Sequence, residues 1–302
     1  MKQQHKKIAD FGPLTARESA LHDALQKDIC TLAKDIGERN LFKYEKLCDC
    51  ADFIEQALRQ AGLAPQRQRY DIDHKPCYNI EASVAGSEHP EQIVVVGAHY
   101  DTVIDCPGAN DNGTGVAAML ALARAFADQP VASSLRFVAF VNEEPPYFQT
   151  PQMGSYVYAE KCRKAQENIV AMISLETIGC YSDAPKSQDY PFPLGSFFPP
   201  IGNFIAMVAN RRSADMLKKF TAAFRRYSDF PVVDGAFPSA IPGIGWSDQW
   251  GFWQHDYPGM MITDTAPFRY PHYHTPQDTA EKIHYDHFAR LVAGLETALA
   301  DF

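Results

Sequence analysis

Three apolar runs in this chain break off into residues that bind metals. Residues 94–98 lead to His99, residues 137–141 lead through Asn142 to the pair Glu143 and Glu144, and residues 169–175 lead to Glu176. Imidazole suits zinc, and a carboxylate two residues on, Asp101, can accept the other ring N–H and fix the ring's orientation. The plainer alternative for His99 is a strand-end histidine satisfied by hydrogen bonds. Adjacent acids repel, so a buried Glu143-Glu144 pair calls for a cation, with one member on the metal and the other handling a proton; a solvated acidic turn is the bland alternative. The small-residue stretch 107–115 opens a helix and carries Asp111, whose two oxygens can be shared between two metal ions. As a phosphate cradle it lacks the Lys-Ser/Thr ending, and it can also serve as a mere turn and cap. Late in the chain His272 and His274 compete for one role, since alternate residues of an extended strand share a face.

The elements that must position these groups can be read from periodicity. Continuous runs rich in Val and Ile read as strands buried on both faces of a parallel sheet, and open α/β sheets gather ligands at the carboxyl ends of such strands. Thr15 and Glu18 have capping-box spacing, and Leu21, Leu25, Ile29, Leu32 and Ile36 recur helically before Gly37. A second helix carries Leu47, Ala51, Ile54 and Leu58 to Gly62. Alternation over residues 66–72 and 78–84 predicts an edge hairpin. Val116, Met119, Leu120, Ala123 and Phe126 mark the helix between the first two metal-directed strands, which makes one βαβ unit. Further helices are expected at 154–164, 213–227 and 285–299, with a short buried strand at 259–263. The Pro- and aromatic-rich piece 190–200 suits a packed loop better than a flexible tether. The expected fold class is α/β, a mixed and largely parallel central sheet flanked by helices. Residues 1–302 then form a single domain, with 1–64 a helical extension packed on it.

Composition bounds the function. At 302 residues, 46% hydrophobic and 22% charged, the chain can bury a large core. With 28 basic against 37 acidic residues it carries a net charge of -9, which argues against nucleic acid and favours cationic or ammonium guests. No stretch approaches the roughly 20 apolar residues of a membrane span, so no membrane partner is expected. The opening from Met1 lacks a signal peptide's apolar segment. As written the chain reads as cytoplasmic, or as periplasmic or secreted if its N-terminus was trimmed. The 7 cysteines cannot all pair within one chain and form no Cys-x-x-Cys pattern, so reduced thiols are expected. Nothing in the sequence speaks to oligomeric state.

Taken in order, Gly-Ala-His99-Tyr-Asp101, Gly-Ala-Asn-Asp111-Asn-Gly-Thr-Gly, Asn-Glu143-Glu144, Ser-Leu-Glu176, Ser247-Asp248 and Tyr-His274-Thr resemble the co-catalytic zinc aminopeptidases of family M28, a group that also includes glutaminyl cyclases. The likeness runs from about Gln92 to the C-terminus and does not extend to residues 1–64. It implies two zinc ions, one held by His99, Asp111 and Glu176 and the other by Asp111, Glu144 and His274, with Glu143 as general base. It favours His274 over His272 and implies a cis peptide after Asp111. This chain departs from the family pattern at Glu176, where Asp is common, and at Gln249, where Ser-Asp-His is usual. Asp248 is retained as a substrate-side or proton-handling carboxylate, and Pro145 and Pro146 stiffen the loop after the Glu pair.

The resemblance implies hydrolysis of N-terminal residues from peptides, in which two zinc ions roughly 3.5 to 4 Å apart activate water and polarise the carbonyl. Glu143 takes the water proton and passes it to the departing amine. Phe197, Phe198, Phe237, Trp246, Trp250, Phe252 and Trp253 come late in the chain and could wall a pocket for an apolar side chain, although core packing accounts for most such residues. Two other readings belong to different classes: a single-zinc glutaminyl cyclase, disfavoured by the presence of His99, and a family-like binding protein without catalysis.

Overall fold

The chain enters through two helices that end where glycine allows a left-handed turn. A computed structural model describes Lys7 and residues 10–302; the rest of the basic opening from Met1, read above for a signal segment, lies outside the described residues. Helix α1 (Ala16–Cys30) starts on the expected capping box, with Thr15 Oγ1 accepting the Glu18 amide and the Glu18 carboxylate accepting the Thr15 amide. Its path continues through a π-helical stretch, Thr31–Ile36, and stops at Gly37, where φ is +79°. Helix α2 (Tyr44–Gln60) buries Leu47, Cys50, Ala51, Ile54 and Leu58 along one stripe.

The sheet has eight strands: β1 (Gln66–Ile72), β2 (Lys75–Val84), β3 (His89–His99), β4 (Ser133–Phe140), β5 (Asn168–Glu176), β6 (Ile205–Asn210), β7 (Val232–Phe237) and β8 (Gly259–Thr263). Their order across the sheet is β1-β2-β4-β3-β5-β8-β6-β7. The central run β4-β3-β5-β8 is parallel, the β1-β2 hairpin joins it antiparallel through β4, and β6 joins antiparallel to β8. This is the mixed, largely parallel α/β sheet expected. Strands β6 and β7 were not anticipated: β7 carries Asp234-Gly235, a turn signal, and β6 is a short apolar run that periodicity alone cannot tell from a helix segment.

Helices cover both faces, which is why the central strands read as unbroken apolar runs. Val94, Val96 and Ala98 of β3 point into one cluster, shared with α1, α2, α3 (Gly115–Phe126), α5 (Ala214–Tyr227) and α7 (Tyr285–Ala300). Ile93 and Val95 point the other way, onto Tyr158, Ala159 and Cys162 of α4 (Gly154–Lys164) and Phe252 of α6 (Gln249–Gln254). Leu21, Leu25, Ile29 and Ile54 of the N-terminal helices belong to the first cluster, so the extension is part of the main core. Segment 190–200 is a surface loop only partly packed: none of its residues is buried and Phe192 is 95% exposed, while the Tyr190 and Phe198 rings lie 5.8 Å apart and Phe198 is edge-on to Phe237 at 6.0 Å. Among the described residues no helix is long and apolar enough to cross a membrane.

Candidate metal centre

Strand register brings the first two groups together. Gly97 of β3 lies beside Ser174 of β5, so two residues further on His99 and Glu176 meet, with His99 Nε2 3.2 Å from Glu176 Oε2. Asp111 arrives from the loop between β3 and α3, and its peptide bond to Asn112 is cis, as the resemblance implied. Asn112 fastens that loop to the end of β5: its side chain donates to Leu175 O and accepts the amides of Thr177 and Gly115. Buried Asp278 accepts the amides of Asn110 (2.8 Å) and Asp111 (3.0 Å) from the other side. Asp111 Oδ1 thereby lies 3.4 Å from His99 Nε2, and Oδ2 lies 3.0 Å from His274 Nε2.

The Glu pair follows β4 by way of Asn142, whose φ is +59° and whose side chain donates to the Tyr70 hydroxyl of β1. Glu144 Oε1 is 3.3 Å from His274 Nε2, and Glu143 Oε2 is 3.8 Å from His99 Nε2. The Asp101 carboxylate lies 3.6 Å from His99 Nδ1, too long for a hydrogen bond, and that nitrogen is nearer the Asp101 backbone oxygen at 3.3 Å. Its two oxygens instead accept the amides of Glu143 and Glu144, each at 3.1 Å. Asp101 thus orients the pair of glutamates more directly than it orients the imidazole.

The ligating atoms converge into groups whose members all lie within 4.8 Å of one another: His99, Asp111 and Glu176; Asp111, Glu144 and His274; and His99, Glu143 and Glu144. The first two share Asp111 and are the sets that the resemblance implied. His272 belongs to none of them; its ring packs edge-on against Tyr270 at 5.4 Å. Asp111 Oδ1 and Glu144 Oε1 are buried without a hydrogen-bond partner. Orphaned carboxylate oxygens beside imidazole nitrogens are the donor set that zinc takes, so the residues fit the metal.

The charges confirm the crowding. Burial, with Glu144 and Glu176 nearby, pushes Glu143 well above the usual carboxylate range. Burial and the Asp111 charge push Glu144 up to about 8. Burial would raise Asp111 too, but His274 and His99 hold it below its ordinary value. Against the cost of burial, Asp111 and Glu144 draw His274 up to about 10. Glu176 is also raised by burial, and Ser247 Oγ donates to its Oε2 at 2.7 Å. Asp248, fully buried just before α6, lies outside the donor groups. Neither of its oxygens has a hydrogen-bond partner, and burial pushes it up to about 7 against the pull of His99.

Three contributors escaped sequence reasoning. Arg39, fully buried between α1 and α2, donates to the carbonyls of Leu32, Gly37, Tyr100, Pro107 and Gly108, bracing the loop that carries Asp101 and leads to Asp111. Asp278 holds the Asp111 amide, as described, and Tyr273 stacks on the His274 ring with centroids 3.8 Å apart. Tyr273 and Glu176 also line an apolar pocket, together with Leu194, Phe198, Phe237, Trp246 and Met261. Of the seven aromatics considered from sequence, Phe198, Phe237 and Trp246 line it. Phe252 belongs to the core, Phe197 is 71% exposed, and Trp250 packs on Tyr156 while Trp253 bonds to Gly259 O. Alternate faces of short elements separate these neighbours in space.

The sequence pattern of "Peptidase family M28" matches residues 79–298. "Uncharacterized protein YfbL" of Escherichia coli K12 is 35% identical over 296 residues, covering 95% of this chain and 90% of that protein. Among solved structures, the zinc aminopeptidase BSAP of Bacillus subtilis superposes with a TM-score of 0.74 at 15% identity, covering 93% of this chain and 95% of its own. Porphyromonas gingivalis glutaminyl cyclase superposes with a TM-score of 0.66 at 18% identity, over 94% of this chain and 98% of its own.

Proposed function

The chain belongs to peptidase family M28, and we propose that within it the protein is a zinc-dependent aminopeptidase using two metal ions on peptide substrates. The observation that carries this reading is the pair of donor groups sharing Asp111, with Glu176 of one of them also lining the apolar pocket. Zinc held by His99, Asp111 and Glu176, and by Asp111, Glu144 and His274, would supply Lewis-acid polarisation of the scissile carbonyl and acidify water.

This chain's own residues do the rest. Glu143 Oε2 lies 3.8 Å from His99 Nε2 and belongs to neither of the donor groups that share Asp111, which leaves its carboxylate to take a proton from the attacking water and hand it to the departing amine. Asp101 fixes where that carboxylate stands by holding the Glu143 and Glu144 amides. The pocket walled by Phe198, Phe237 and Trp246 receives an apolar N-terminal side chain and keeps water from it. Asp248, buried near Glu176 and His99, is suited to holding or passing a proton.

The test is release of free amino acids from a mixed peptide panel by zinc-loaded protein, with Glu143→Gln alongside and Gln-initiated peptides in the panel. Release by the wild type and not by the variant is the expected result. Pyroglutamate formation without release would replace this reading by the cyclase one, and neither product would leave a binding protein.

A further inference from the structure

A second, smaller cleft has the candidate ligand Glu144 in its lining, and the N-terminal extension contributes Asn40, Leu41 and Phe42 to it. Its apolar lining is Leu41, Phe42, Ile104, Pro145, Pro146 and Tyr147, and Glu144 with four other polar residues completes it. Phe42 is 65% exposed and Ile104 54% exposed. A lone exposed apolar side chain is ordinary. Here two of them share one small cleft with two prolines and a candidate metal ligand.

The wall carrying Phe42 is rigid. Asn40 Oδ1 accepts the amides of Phe42 (3.0 Å) and Lys43 (3.1 Å), and Asn40 Nδ2 donates to Thr102 O at 3.2 Å. Arg39 and Thr102 exchange further bonds, the Thr102 amide to Arg39 O at 3.0 Å and the Arg39 amide to Thr102 Oγ1 at 3.1 Å. Lys75 Nζ donates to Leu41 O at 2.9 Å. A preorganised apolar wall binds a side chain without the cost of ordering itself.

The two clefts meet the centre through different donor groups. Glu176 lines the larger apolar pocket and Glu144 lines the smaller cleft, and the donor groups to which they belong share Asp111. A peptide bond placed over Asp111 with its N-terminal side chain in the large pocket sends the next residue toward Glu144. We propose that Phe42 and Ile104 form the subsite for the second residue of the substrate, selecting peptides whose second side chain is apolar. This rests on the aminopeptidase reading and adds a specificity determinant supplied jointly by Phe42 of the N-terminal extension and Ile104 of the loop after β3.

The experiment compares kcat/KM for Leu-Leu-amide and Leu-Gly-amide on the same zinc-loaded sample, for wild type, Phe42→Ser and Ile104→Ser. The ratio of two substrates on one sample does not depend on how much of a variant is folded. The wild type is expected to prefer Leu-Leu-amide by roughly tenfold, the scale of burying part of one apolar side chain, with the ratio falling severalfold in each variant. Phe42→Lys is expected to shift preference toward Leu-Glu-amide. A wild-type ratio near one, or a ratio that neither serine variant changes, overturns the subsite while leaving the aminopeptidase in place. Absence of hydrolysis of any dipeptide by the wild type overturns the aminopeptidase reading and the subsite together.

Discussion

Asp101 Oδ1 accepts the backbone amide of Glu143 at 3.1 Å, and the same carboxylate's Oδ2 accepts the next amide, also at 3.1 Å. A residue two places after His99 on one strand therefore sets the backbone of the acidic pair that follows another. Asp101→Asn keeps one acceptor and turns an amide NH2 toward a backbone N–H, leaving a buried donor facing a donor. The expected outcome is a stability loss of about 1–3 kcal/mol. The expected fall in kcat is roughly a hundredfold, because a general base displaced by a fraction of an ångström loses its geometry. Urea denaturation and steady-state kinetics check the two separately.

Metal binding and proton transfer are separable in this site. His274→Ala removes a donor from the group containing Glu144, and Glu176→Ala removes one from the group containing His99. Each is expected to lower bound zinc from about two ions per chain toward one, since each group then lacks a donor. Glu143→Gln is expected to keep both ions and lose kcat by about 10²–10⁴-fold. Elemental analysis of dialysed protein beside kinetics decides it. Zinc should also raise the Tm of the wild type, because a ligand of the folded state alone stabilises it.

How much of this was readable depended on what a residue contacts. His99, Glu144 and Glu176 stood out because each ends or closely follows a long apolar strand, whereas the place of Asp111 in both donor sets and the choice of His274 over His272 came from the family resemblance. Arg39 was not, since its partners are carbonyls, which every residue carries. Asp278 was invisible for the same reason: it accepts main-chain amides of the loop at Asp111. The long apolar strands were plain, while β7 was hidden by the turn signal Asp234-Gly235 within it and β6 by an apolar run that periodicity cannot tell from helix. Which of the late aromatics faced the pocket depended on the loop from Tyr190 to Phe198, and no periodicity governs a loop.

His287, on α7 away from the centre, gives the protein an acid-sensitive element. Its ring meets Phe11 edge-on at 5.4 Å and Tyr181 at 5.7 Å, and its Nε2 has no hydrogen-bond partner. Burial first, then the positive charge of Arg290 and the neighbouring His284, lower its pKa to about 4. The unfolded chain, with a histidine pKa of about 6.5, takes up this proton before the folded one does. Stability from His287 is thus complete above about pH 6.5 and is lost as pH falls toward about 4. His287→Phe keeps an aromatic ring in place and should lose less Tm between pH 7 and pH 5 than the wild type. An equal loss in both would show that this histidine stays neutral in neither state's favour.

Arg39 offers the sharpest test of whether the N-terminal helices belong to the working site. Its guanidinium serves the carbonyls of Leu32, Gly37, Tyr100, Pro107 and Gly108, and a Cβ on Gly108, where φ is +64°, would come within 3.2 Å of it. Arg39→Met removes every donor while keeping bulk, and a buried acceptor left without a donor costs about 1–3 kcal/mol. Losing even two such bonds takes roughly 2–6 kcal/mol from a total stability of about 5–15 kcal/mol. Arg39→Lys retains at most three donors on one atom, against five in a planar fork, so it should fall between. The expected Tm order is wild type, then Lys, then Met, with the Met variant lower by at least about 5 °C. Because three of the five carbonyls belong to the loop running from Tyr100 to Gly108, kcat per folded molecule should fall in the same order. A Tm loss with unchanged kcat would make Arg39 a support of the core alone.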